Sequence, residues 1–454
     1  MDIVISKDGT AVQRTKILKN RTPTEIDNLS ERIVEELRNT ELVFPTSKKK
    51  EKKKADEEKL KLTKFMKDLA DSFSSSLIRI QQDGMGNPLV VASLEVLIII
   101  MVKLDVDENF EKSFLMTYQA FVSSIDLLNH FSRIIGSDPA TSNRVANFIL
   151  KWYQARSDVF EDPAFKTTFD HFLTTADFGD LAEKLKGFAR HGHIPVLSVL
   201  GAPAPILTHR TVEEKNYYDF LDFHPKELAR QLTLLEVDIL KKIKPSEWLG
   251  TGWQKGKSEN ITAYTIRYNQ ITGWVSSLVV LAVTKELRAV IITRFLQIAI
   301  ECLALNNFST LIAIFLGLNV QPCTRLLQTW AVIDKHSLML WEKIKEFASP
   351  LNKFKTLRRA QEEVEGSCVP YLGVYIGDLT MIEEVVSDKT EDGLINFSKF
   401  QFISRIISKC EIFKSKLNYK LSVVSEIVEF LSGISLFVLP DDTMEKESCL
   451  RETR

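Results

Sequence analysis

From about residue 84 to the C-terminus, apolar residues recur three and four positions apart, as they do on one face of an α-helix. "SLEVLIIIMVKL" (93–104), "FEKSFLMTYQAFVSSIDLLNHFSRII" (110–135) and "SNRVANFILKWYQARSDVF" (142–160) follow one another with short polar breaks between them. "FEDPAFKTTFDHFLTTADFGDLAEKLKGFARHG" (160–192) continues the series, and together these segments predict a helical domain over 84–190. The pattern then stops. "HIPVLSVLGAPAPILTHRT" (193–211) places prolines at 195, 203 and 205, each without an N–H to donate, so 191–216 reads as an extended connector. Its Ile194, Val196, Leu197, Val199 and Leu200 are apolar enough to pack.

Dense helical patterning returns over 217–454. In "HPKELARQLTLLEVDILKKI" (224–243), Leu228, Leu232, Leu235 and Ile239 keep helical spacing, and Pro225 stands where a helix can start. Ile291–Leu305 is apolar on nearly all sides, the mark of a central helix covered by its neighbours. Strand-like alternation is nearly absent. The predicted fold class is all-α, with two helical domains; the connector and the last thirty residues have room for a β-hairpin, but no strong signal points to a sheet.

Residues 1–83 have a different texture. One helical pattern runs from Thr24 to Leu42, with "TPTE" as its cap. "SKKKEKKKADEEKLKLTKFMK" (47–67) is lysine-rich and then alternates in charge. It reads first as a solvated, partly helical linker. A transient membrane-surface contact or a nuclear address are sharper readings, both weakened by the interleaved Glu51, Asp56, Glu57 and Glu58.

Composition narrows the function classes. Of the 454 residues, 44% are hydrophobic and 26% charged, the balance of an ordinary globular protein, and the length leaves room for about three domains. A net charge of −1 supplies no global field for nucleic acid. The two longest apolar stretches, 89–102 and 290–320, are broken by Glu95 and by Arg294, Glu301, Asn306 and Asn307, so both read as buried helices rather than membrane spans. No signal peptide opens the chain, and a cytoplasmic location follows as the expectation. The five cysteines have no paired spacing. His191-Gly-His193 does not put two imidazoles on one helical face. No phosphate-binding loop, nucleophile elbow or H-E-x-x-H motif is present, so the chain is not read as a nucleotide hydrolase, serine hydrolase or zinc protease, and no cofactor or metal is expected.

Five stretches occur in an order that matters: "FHPKELARQLTLLEVDILKKIKPSEWLG" (223–250), "NITAYTIRYNQITGWVSSLVV" (260–280), "LNNFSTLIAIFLGLNVQPCTRLLQTW" (305–330), "CVPYLGVYIGDLTMIEE" (368–384) and "GLINFSKFQFISRII" (393–407). In this order they resemble the catalytic domain of the Ras-type guanine-nucleotide exchange factors, the family that includes Son of sevenless. "LPDDTMEKESCLRETR" (439–454) resembles its closing segment. "SFLMTYQAFVSSIDLLNHF" (113–131) and "ILKWYQARSDVFEDPAFKTTFDHFL" (149–173) resemble the Ras exchanger motif domain that precedes it, so the likeness covers about 84–454.

The resemblance implies that the chain binds a Ras-like small GTPase, of Ras, Rap or Ral type, and promotes GDP release by inserting a helical hairpin into the nucleotide site. Tyr371–Glu384 would be the inserted element and "INFSKFQFISRII" its returning partner. Such a GTPase holds phosphate oxygens on backbone N–H groups and a lysine, with Mg²⁺ bridging them to hydroxyls and carboxylates. A carboxylate pushed beside that loop competes for the donors and repels the phosphates. A side chain in the metal site excludes Mg²⁺. The implied catalytic residues are Glu384, Thr380 and Met381, which share a helix face at spacings of three and four. Tyr371, Asp378 and Arg325 are the implied GTPase contacts. Read without the resemblance, Glu383 and Glu384 would be a solvated helix end, Tyr371 core, and Arg325 a surface ion pair; Glu383 keeps that reading. Asn306 and Asn307 read as structural hydrogen-bonding residues between buried helices.

Two features depart from the family. Thr380 stands where some members have a bulky aliphatic residue, and "EEVVSDKTEDG" replaces the usual hairpin ending. They keep a second reading alive: a helical scaffold that binds a Ras-like GTPase without exchange activity. The resemblance also allows the 84–190 domain to brace the hairpin and to hold a second, regulatory GTPase, as in some relatives.

Overall fold

The computed structural model describes residues 71–74, 76–82, 88–103, 106–135, 139–175, 204–205, 220–351 and 353–453. The Thr24–Leu42 helix, the lysine-rich run, His191 and His193, and all but two residues of the proline-containing connector lie outside the described residues.

The first described element corrects the sequence reading. Ile78–Gln82 (β1) and Pro88–Ala92 (β2) pair antiparallel, with Ile80 opposite Val90, and straddle the expected boundary at residue 84. The apolar stretch from 89 was expected to be wholly helical; its first residues are strand, and helix begins at Leu94. Val90 is fully buried, and β-branched residues suit such a pleated, covered position. The pairing spans few residues, so its alternation is too short to stand out from the helical runs beside it.

Helices α1 (Leu94–Lys103), α2 (Glu108–Thr117), α3 (Ser124–Ile134), α4 (Pro139–Ala155), α5 (Ser157–Phe160) and α6 (Pro163–Thr175) follow. Asp107 starts α2 by accepting the N–H groups of Asn109 and Phe110, both at 3.1 Å. Their apolar faces meet in an aromatic core: Trp152 lies edge-on to Tyr118 at 5.3 Å and to Phe165 at 5.3 Å. The Trp152 Nε1–H donates to the Tyr118 hydroxyl at 3.2 Å, which satisfies a buried indole. The fully buried Arg156 is paired with Asp158 and donates to Gln119 at 2.6 Å.

The second array comprises α7 (Pro225–Leu240), α8 (Glu259–Leu281), α9 (Lys285–Ala304), α10 (Phe308–Leu318), α11 (Gln321–Thr324), α12 (Leu327–Ala331), α13 (Lys335–Phe347), α14 (Lys355–Glu363), α15 (Gly373–Val385), α16 (Phe397–Ser415), α17 (Ser425–Ser432) and α18 (Asp441–Arg451). Pro225 does begin α7, behind a His224 cap that accepts the Lys226 N–H. At the centre, Trp274 of α8 packs on Phe295 of α9 with ring centroids 5.0 Å apart. Gly317 lets α10 approach α8 closely: a Cβ there would stand 2.7 Å from Val275. Asn307 is structural, as expected. It caps α10 through Thr310 N–H at 3.0 Å and reaches Thr233 of α7, also at 3.0 Å.

The two arrays meet at α16. Phe397 is fully buried, with Phe110 at 4.7 Å and Phe114 and Phe121 beyond it. The strand edge is used as well: Ala92 and Ile395 exchange backbone hydrogen bonds of 3.1 and 2.9 Å. The N-terminal array therefore packs against the start of α16 and the segment leading into it. No described helix is long and apolar enough to cross a membrane.

Candidate functional site

The "PYLGVY" stretch bends before it becomes helix. Tyr371 is buried, its ring 5.4 Å from Tyr268 and 6.1 Å from Phe354, and its N–H is donated to Gln361 at 2.6 Å. The ring lies back over the following turn, and a Cβ on Gly373 would stand 2.4 Å from it, so glycine is required there. Burial raises the Tyr371 hydroxyl pKa, and it stays protonated in the neutral range. Phe354 adopts a left-handed φ of 61° at the head of α14, which turns its ring toward Tyr371.

From this anchor α15 runs to Val385 with two acidic side chains tied to neighbouring helices. Asp378 receives a two-pronged ion pair from Arg358 of α14, at 2.7 and 2.9 Å. Glu383 is paired with Lys399 of α16 and also accepts the Gly250 N–H at 3.1 Å. It is not the solvated helix end read from the sequence. Glu384 is exposed and has no hydrogen-bond or ion-pair partner among the described residues. Thr380 and Met381, half-buried, lie one turn back on the same helix; the Thr380 hydroxyl donates to the Ile376 carbonyl at 2.9 Å. Its hydrogen bond is thus internal to the helix.

Arg325 lies elsewhere, between α11 and α12. It donates to the Glu452 carbonyl at 3.1 Å and the Ser448 hydroxyl at 3.3 Å, which ties the end of α18 to this corner. That corner is held further by the Glu452 carboxylate, which accepts from Thr329 N–H at 2.9 Å, Gln328 N–H at 2.8 Å and Arg288 at 3.1 Å. Leu327, 72% exposed, stands two residues beyond Arg325 as an uncovered apolar side chain.

The structure thus gathers Tyr371, Asp378, Thr380, Met381 and Glu384 onto α15 and its entry, with Arg325 apart. Sequence reasoning did not find Arg358 or Lys399. Their partners lie 20 and 16 residues away on other helices, so no local spacing signals them.

Residues 227–401 match the family model described as the RasGEF domain, a span containing all six of these positions. Residues 227–401 form a RasGEF domain. Beyond the RasGEF domain itself, similarity extends over more of the chain. Ras-specific guanine nucleotide-releasing factor 1 of Mus musculus is 32% identical over 329 residues, 69% of this chain and 26% of that protein. Ras guanine nucleotide exchange factor P of Dictyostelium discoideum is 31% identical over 304 residues, 64% of this chain and 20% of that protein. Ras guanine nucleotide exchange factor A of the same organism is 29% identical over 355 residues, covering 72% and 58%. The chain spans a fifth to a quarter of the length of the first two relatives.

Proposed function

We propose that this protein is a guanine-nucleotide exchange factor that binds a Ras-like GTPase and speeds GDP release. The observation that carries the reading is the contrast along α15 of the RasGEF domain. Asp378 and Glu383 are tied down by cations of the same chain, whereas Glu384 at the helix end has no partner among the described residues. An unpaired carboxylate on a rigid helix end needs no partner to be released before it meets the phosphate-binding groups of a GTPase. Thr380 and Met381 would face the metal site, Met381 supplying the bulk that Thr380 lacks. Asp378 would act through its grip on Arg358, Tyr371 by setting the start of the helix, and Arg325 with Leu327 at a second patch. A hundred-thousand-fold acceleration would require about 7 kcal/mol of differential stabilisation of the opened GTPase, all from the interface.

The second reading, a GTPase-binding scaffold without exchange activity, is favoured by Thr380: a short side chain whose hydroxyl is already hydrogen-bonded within the helix. Recruitment to a membrane through the lysine-rich run and a second GTPase on the N-terminal array are further proposals. The deciding experiment is release of a fluorescent GDP analogue from Ras, Rap, Ral and Rho-type GTPases, with excess unlabelled nucleotide, with and without this protein. Acceleration on one or two of them supports exchange and names the substrate class. Stable binding to a nucleotide-free GTPase without acceleration supports the scaffold.

A further inference from the structure

The two helices of the hairpin are joined by 386–396, and the joint between them is closed by one buried cation. Lys399 lies in the first turn of α16 and is 2% exposed. Its ammonium group contacts the Glu383 carboxylate at the end of α15 and Asp388 in the joining segment, the latter at 2.5 Å. Backbone bonds reinforce the same closure: Asn396 N–H reaches the Asp388 carbonyl at 2.8 Å, and Thr390 N–H the Leu394 carbonyl at 2.9 Å.

The second oxygen of Glu383 leads out of the hairpin. It accepts the N–H of Gly250, in a turn where Gly250 and Thr251 both have left-handed φ values, 60° and 55°. A β-branched residue at such a φ is strained and persists only where surrounding contacts hold it. They do here. The Thr251 hydroxyl and the Lys255 ammonium both donate to the Gly250 carbonyl at 2.7 Å, and a Cβ on Gly252 would stand 2.3 Å from Ser258. The turn aims one backbone N–H at Glu383, so that carboxylate is held from two sides.

We infer that Lys399 and Glu383 are positioning residues for exchange: their clasp fixes the end of α15 so that the adjacent Glu384 is presented outward at a set angle. The inference rests on the exchange reading and extends it to residues that do not touch the nucleotide site. Neighbouring helix positions are about 100° apart, so a carboxylate locked inward at 383 fixes the direction of 384. Loosening the clasp leaves the binding surfaces in place but blurs the position of the reacting carboxylate, which lowers the saturating rate rather than affinity.

The test is a cycle of Glu383→Gln, Lys399→Met and the double variant, with Asp388→Asn as a milder probe at an exposed position. GDP release is measured against GTPase concentration, with hydrogen–deuterium exchange on the same proteins. Each single variant is expected to lower the maximal rate by about tenfold with KM within about twofold, and the double variant to be no worse than the poorer single, because both remove one clasp. Amide protection at Gly250 and across 386–396 is expected to fall by about tenfold, while α8 and α9 keep theirs. Wild-type maximal rates in folded Glu383→Gln and Asp388→Asn variants would overturn the inference, as would a rise in KM alone. If the wild-type protein accelerates no GTPase in the panel, the exchange reading fails by itself. The clasp is then judged by protection alone, and unchanged protection in Glu383→Gln refutes it.

Discussion

Phe397 offers the sharpest check on how the two helical arrays are joined. Its ring is fully buried, and the rings around it, Phe110, Phe114 and Phe121, all belong to the N-terminal array. Replacing it with alanine removes a side chain whose burial contributes about 3 kcal/mol by area. The contact at 4.7 Å with Phe110 adds about 1 kcal/mol more. Residual cavity offsets any relaxation, so the expected loss is about 4 kcal/mol. Phe397→Leu refills most of the space and should cost about 1–2 kcal/mol. Urea unfolding at fixed temperature reads both values, with aromatic fluorescence following Trp152 on one side of the joint and Trp274 on the other. Because Phe397 also begins α16, the alanine variant should exchange nucleotide more slowly under conditions where it remains folded. A loss under about 1 kcal/mol for Phe397→Ala would refute the packing argument, since no buried phenylalanine with three aromatic neighbours is that cheap to truncate.

Glu384→Ala should slow nucleotide release by at least about tenfold with unchanged helicity, because the side chain has no partner among the described residues; lost circular dichroism signal would contradict that placement. Glu452→Gln should destabilise the protein by about 1–3 kcal/mol, measured by denaturant unfolding. Burial raises the Glu452 carboxyl pKa, but the bonds from Thr329, Gln328 and Arg288 outweigh it and hold the value below the ordinary one. Its stabilisation is therefore complete above the ordinary carboxyl range and disappears as pH falls through the lowered native value, a loss the Gln variant should not show. Glu236 behaves oppositely. Burial raises its pKa, against a hydrogen bond from Thr310 at 2.6 Å, so ionising it costs native stability as pH rises from the ordinary carboxyl range through the raised native value. Glu236→Gln should flatten that slope and leave stability at neutral pH equal or higher, read by unfolding across the acid-to-neutral range.

Helices were legible because their cause is local. Pro225 starts α7 where its fixed φ allows, and Leu228 and Leu232, at helical spacing, are both fully buried. The order of family blocks also lay in the chain itself, and with it the expectation of an exchange domain and of α15 as its working helix. The β1–β2 pair escaped notice because its five-residue strands adjoin a longer apolar helix, and because its outer edge is completed by Ile395, some three hundred residues away. The acidic pair showed the same limit. Glu383 and Glu384 are adjacent and chemically identical, yet only the first meets Lys399 and the strained turn at Gly250. Which carboxylate is structural and which is free depends on what other helices bring within about 3 Å, and Coulomb and hydrogen-bond energies act at that range. Sequence determined the helices and the class of domain. Tertiary structure alone decided which of the two carboxylates is paired inside it and which is left exposed.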